Sequence, residues 1–194
     1  MKLSAREFLA DRARRFDAAA ESEFPSQVES LAEAALACLQ GEGKILVFGN
    51  GGSAALATHF SGELLGRFLS DRRPLPALSL AVDMSALTAI ANDYAYSEIF
   101  ARQLEALGRA GDLALGLTTS GESPNVVSAL ECAKKLNIRS AVLTGLPGGA
   151  AAAAAAIAVV VPSGDTDFVQ EAQEAALHYL CHRADALFSG EGAP

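Results

Sequence analysis

Stretches of short apolar runs alternating with helical periodicity set the plan of this chain. The run 44–48 (KILVF) has the length and β-branched content of a strand buried on both faces of a parallel sheet. Shorter or similar runs at 77–81, 112–117, 139–143 and 158–161 predict four more strands. Between them lie helical patterns at 84–90, 97–107, 124–136, 150–156 and 167–188, and an Ala-rich helix follows residue 53. Pro124 stands at a first helical position, where its missing N–H costs nothing. Arg72, Arg73, Pro74 and Pro76 mark a loop. Strands alternating with helices predict an α/β fold: a doubly wound, five-stranded parallel sheet flanked by helices.

Two helices precede the first strand. Residues 4–22 place Phe8, Leu9, Arg12 and Phe16 near one face, with Asp11, Arg14 and Arg15 elsewhere. A second helix opens at Pro25, carries Val28, Leu31, Ala35 and Leu39, and ends at Gly41 and Gly43. This N-terminal extension, 1–42, is expected to serve as an oligomer contact on a single domain spanning 1–194. The tail 189–194 is expected to fray.

Composition narrows the class. With 194 residues and 51% apolar content, the chain suits one domain with an ample core. A net charge of −8 argues against a nucleic-acid backbone as partner. Cys38, Cys132 and Cys181 are odd in number and widely spaced, forming neither a zinc knuckle nor a disulfide framework. The charged N-terminus has no hydrophobic signal core, and no apolar run reaches membrane-spanning length. The expectation is a reduced, cytoplasmic protein without membrane or nucleic-acid partners.

The candidate chemistry sits where strands open into turns. The first strand breaks into Gly49-Asn50-Gly51-Gly52-Ser53 and resumes as a helix. A strand, a glycine turn and a helix N-terminus make an anion seat from free N–H groups and the helix dipole. The spacing fits neither the dinucleotide fingerprint nor the P-loop. The third strand opens into Thr118-Thr119-Ser120-Gly121-Glu122-Ser123. Four hydroxyls in six residues, with no lysine, suit a phosphate held by neutral donors, although hydroxyls also favour ordinary helix caps. In a doubly wound sheet both turns lie at the carboxyl edge, where ligands bind.

His59 and Glu63, four apart on one helix, share a face. Alone, the pair reads equally well as a satisfied histidine with a helical partner. The last helix offers Asp167, Gln170, Glu171, Gln173, Glu174, His178 and His182. Gln170 and His178 fall on roughly one face about 12 Å apart along the axis. Glu171, Glu174 and His182 read as a solvated face.

Taken in order, these motifs resemble the sugar isomerase (SIS) domain family and, within it, the bacterial phosphoheptose isomerases. The matching residues are Gly49–Ser53 with His59, Phe60 and Glu63, then Ala91-Asn92-Asp93, the 118–123 turn, Leu143-Thr144-Gly145, and Val169-Gln170-Glu171 with His178. The resemblance implies an SIS fold and an aldose–ketose isomerase converting sedoheptulose 7-phosphate to D-glycero-D-manno-heptose 7-phosphate through an enediol. That step opens the route to nucleotide-activated heptoses for lipopolysaccharide and other surface glycans. It also implies zinc and a homotetramer with active sites between subunits. By the resemblance, His59, Glu63, Gln170 and His178 surround the metal. Asn50, Gly51, Gly52, Ser53, Glu63, Asn92, Asp93, Thr118, Thr119, Ser120, Ser123 and Gln170 bind substrate. Glu63 and His178 are the expected catalytic base and acid.

The chain departs from the family pattern at Phe168, where many relatives carry arginine, and at Gln173, where they carry histidine. A non-catalytic branch that binds the bacterial replication initiator lacks the carboxylate and histidine that this chain keeps at Glu63 and His178. Sugar-phosphate sensors of the family are usually fused to a DNA-binding module, and nothing of that size is present.

Overall fold

Period-two alternation within the strands decides which side chains serve which helices. The computed structural model describes residues 3–190. Five strands, β1 (Ile45–Gly49), β2 (Ala77–Ser79), β3 (Leu113–Leu117), β4 (Arg139–Gly145) and β5 (Ile157–Val161), pair in parallel in the order β2-β1-β3-β4-β5. Ile45, Val47, Leu113, Leu115, Leu117, Ala141, Leu143, Val159 and Val161 face one side. There they meet α2 (Phe24–Gln40), α3 (Gly52–Leu65) and α8 (Thr166–Phe188). Leu46, Phe48, Ala114 and Val142 face the other side and pack on α5 (Ala101–Leu107), α6 (Pro124–Lys135) and α7 (Gly149–Ala154). The result is the three-layer, doubly wound architecture that the alternating pattern predicts.

Most boundaries match the expected ones. The helix α4 (Met84–Asp93) follows β2, and the segment expected as one helix over 97–107 begins as a 3-10 turn, Tyr96–Glu98, before α5. α1 (Ala5–Ala20) opens on a capping box between Ser4 and Glu7. It lies on the start of α8, where Arg12 pairs with Asp167 and Glu171, Arg15 pairs with Asp165, and Phe16 meets Phe168 edge-on at 5.1 Å. No α4 residue is fully buried, and Leu9 and Met84 stand about two-thirds exposed.

One buried ion pair ties α3 to α8. The fully buried Arg72 side chain donates to Asp185 Oδ1 at 2.9 Å and to the carbonyls of Glu63 at 2.8 Å and Leu64 at 3.0 Å. A cation thus closes the carbonyl end of α3, as the helix dipole favours. Asp185 also accepts from the backbone of Leu69 and Ser70, at 2.8 and 2.7 Å. Ser189, expected to fray, forms an antiparallel bridge with Arg72, and 191–194 lie outside the described residues. Among the described residues no helix is long and apolar enough to cross a membrane.

Candidate active site

In this strand order the winding reverses between β1 and β3, which opens a crevice beyond their carboxyl ends. Gly49 pairs with Leu117, so the turns that follow, 50–53 and 118–123, stand side by side at that crevice. Neither α3 nor α6, which begin there, carries a side-chain cap. α1 and α4 are capped by Ser4 and Asp83, whereas α2, α5, α7 and α8 lack a side-chain cap as well, so it is the place of α3 and α6 at the crevice that sets them apart. Uncapped first-turn N–H groups at a switch point are donors in want of an acceptor, which suits an anion.

The turns are firmly built. Thr118 is buried, and its hydroxyl lies 3.2 Å from that of Ser123 and accepts from Gly121 N at 3.3 Å. Ser120 Oγ accepts from Glu122 N at 3.2 Å. Thr119 lends its carbonyl to Gly145 N at 3.2 Å. In the other turn Gly51 takes a φ of +54°, and Ser53, buried, closes onto the Asn50 carbonyl at 2.9 Å. Gln170 reaches this turn from α8: a Cβ added at Gly52 would meet its Nε2 at 2.4 Å. Asn92 and Asp93 end α4, exposed and bonded to each other at 2.8 Å.

Lower on α3, His59 faces His178 of α8 with their Nε2 atoms 3.1 Å apart. Glu63 Oε1 lies 3.7 Å from His59 Nε2. His59, Glu174 and His178 place one donor atom each within 4.8 Å of one another, a group able to hold a metal ion. Two nitrogens at about 2.05 Å from a tetrahedral ion stand about 3.3 Å apart, so the paired imidazoles fit such an ion. Phe68 stacks on His178 with centroids 5.4 Å apart and meets His182 edge-on at 5.0 Å. His182 is therefore turned to Phe68.

The structure brings His59, Glu63 and His178 together, and Gln170, one turn before Glu174 on α8, reaches the α3 N-terminus at Gly52. Glu174, which sequence reasoning left to solvent, joins the histidines instead, because it lies one helical turn before His178. Sequence reasoning also missed Asn125 and Tyr96, which both bond Asn50. Asn125 carried a signal, as the second residue of a helix that follows the hydroxyl turn; Tyr96 carried none.

Residues 7–145 match the model of the SIS domain. The chain is 48% identical over 153 residues to the phosphoheptose isomerase of Helicobacter pylori strain Shi470, covering 79% of this chain and 80% of that one. The chain belongs to the SIS domain family, in its phosphoheptose isomerase branch. The phosphoheptose isomerase of Trichlorobacter lovleyi is 44% identical over 176 residues, covering 89% of this chain and 90% of the relative. Among solved structures, phosphoheptose isomerase GmhA from Neisseria gonorrhoeae superposes with a TM-score of 0.86 at 38% identity, over 92% of this chain and 95% of that one. A phosphoheptose isomerase from Francisella tularensis gives 0.89 at 37%, over 93% and 96%.

Proposed function

We propose that this protein is an aldose–ketose isomerase acting on sedoheptulose 7-phosphate and yielding D-glycero-D-manno-heptose 7-phosphate. The observation that carries this reading is the pair of uncapped helix N-termini at the β1/β3 crevice, in a chain that shares most of its length with phosphoheptose isomerases. The hydroxyl turn, Thr118, Thr119, Ser120 and Ser123, holds the phosphate. Asn50, Gly51, Gly52, Ser53, Gln170, Asn92 and Asp93 line the path of the sugar. Glu63, half-buried and one turn beyond His59, is the base. It removes a proton from C1 of the ketose, leaving an enediol, and returns one to C2. His178, through its imidazole, moves the hydroxyl proton from O1 to O2.

A zinc ion is the metal that two imidazoles and a carboxylate suit. His59 and His178 would hold it with Glu174 or Glu63 as the carboxylate, and it would polarise the carbonyl oxygen of the substrate. With Glu174 in that place, Glu63 stays free for the proton. A cytoplasmic homotetramer completes the reading, with the exposed apolar faces of α1 and α4 covered between subunits.

The test is direct. Sedoheptulose 7-phosphate incubated with the protein in deuterated water yields an aldose phosphate carrying deuterium at C2. Product without deuterium would rule out proton exchange at an enediol, and no product at all would defeat the isomerase reading.

A further inference from the structure

The Asn50 carboxamide is held more tightly than a turn residue requires. Its Nδ2 donates to Asn125 Oδ1 at 2.8 Å, and its Oδ1 accepts from Asn125 Nδ2 at 2.8 Å. The hydroxyl of Tyr96 donates to the same Oδ1 at 3.0 Å. A carboxamide oxygen has two lone pairs, and both are taken; one of the two Nδ2 hydrogens is left. In a reciprocal amide pair the hydrogen used is the one on the oxygen's side. The remaining N–H therefore points away from Asn125, in a direction fixed by three elements: the β1 turn, the start of α6 and the 3-10 turn after α4.

The two partners differ in what they can contribute to stability. Asn125 is buried, so its amide is a structural anchor. Tyr96 is 60% exposed, and an exposed hydroxyl gains little by exchanging water for Asn50. Having donated its hydrogen, the Tyr96 oxygen keeps lone pairs that can accept. The free N–H and the Tyr96 acceptor stand at opposite ends of the Asn50 carboxamide, so they match two hydroxyls of a polyol, one accepting and one donating, which a phosphate dianion cannot do.

We propose that Tyr96 and Asn125 are positioning residues that lock Asn50, and that the Asn50 N–H and the Tyr96 hydroxyl read separate hydroxyls of the sugar's carbon chain. This rests on the sugar-phosphate reading of the crevice. It adds a recognition element for the carbon chain, separate from the seat of the phosphate.

The experiment uses Tyr96→Phe, which removes one oxygen from an exposed ring and leaves folding intact. Dissociation constants of sedoheptulose 7-phosphate and of inorganic phosphate are measured by calorimetry for wild type and variant, with kcat and KM alongside. The expected result is binding of the sugar phosphate weakened roughly 3- to 10-fold, the effect of one hydrogen bond. KM should rise in step, kcat should change little, and phosphate affinity should stay as in wild type. Unchanged sugar-phosphate binding overturns the proposal. So does an equal loss for inorganic phosphate, which would make Asn50 part of the anion seat. If wild type binds the sugar phosphate without turning it over, the isomerase reading fails by itself, and the two dissociation constants still decide the role of Tyr96.

Discussion

Two glutamates flank the histidine pair from different helices, and their roles should separate under the mildest substitution. Glu63→Gln keeps shape and hydrogen bonding but removes the base. We expect turnover to fall roughly 10²- to 10⁴-fold while sugar-phosphate binding persists. Glu174→Gln should instead lower the zinc content measured by elemental analysis, with Glu63→Gln retaining it. Equal metal loss in both variants would place both carboxylates on the ion. The cysteines make a contrasting case. Burial first, then the nearby charge of Asp112, pushes the Cys38 thiol up to about 11. Burial and then the charge of Glu63 push Cys181 up to about 12. Thiolate is the reactive form, so native protein at pH 8 should leave both unmodified by a thiol reagent, and both should react on unfolding.

The α3 helix links the two halves of the site, and its far end rests on Arg72 and Asp185. Removing one member of a buried, bonded pair typically costs about 3–5 kcal/mol. Asp185→Asn should therefore lower Tm by on the order of 10 °C in a chain of this size. Burial alone would raise the Asp185 carboxyl, but the N–H groups of Ser70 and Leu69 and the Arg72 guanidinium outweigh it and hold it below the usual range. A depressed folded value means the contribution is present above the unfolded value, about 3.9, and is lost as pH falls through the folded one. Wild type should lose Tm steeply below pH 4, and Asp185→Asn should lose less over the same window. Elements of this kind divide sharply in what sequence shows. The β1 turn and the hydroxyl turn were legible because an apolar run that breaks into glycine or hydroxyls before a helix marks the carboxyl edge of a parallel sheet. The Arg72–Asp185 pair joins residues 113 positions apart and leaves no periodic trace. Tyr96 was illegible for the same reason, and Glu174 because a helix face gives no sign of which carboxylate meets a partner helix.

Among the described residues, large apolar side chains stand bare on α1 at Leu9 and along α4 at Met84, as they do at Leu65, Leu69 and Leu146. A tetramer that covers α1 and α4 should be stable in light scattering at micromolar concentration. Leu9→Glu should shift it toward smaller species, and a monomeric wild type would refute this.

The hydroxyl turn is braced against its neighbour as well as against itself. At Gly121, φ is +73° and an added Cβ would lie 2.1 Å from the Gly148 carbonyl. Ala151 N bonds the Gly121 carbonyl at 2.9 Å, and Ala150 N bonds Glu122 Oε1 at 3.2 Å. A cradle cast in advance has little left to freeze when its ligand arrives, since the chain's freedom there was surrendered when it folded. The amide hydrogens of Thr118, Gly121 and Glu122, bonded within the fold, should then exchange with solvent slowly even in the empty protein, and saturating phosphate should slow them only slightly further. Gly121→Ala, which cannot adopt this contact, should loosen the same amides and make ligand-dependent protection large, turning a rigid mould into one that must set around each substrate.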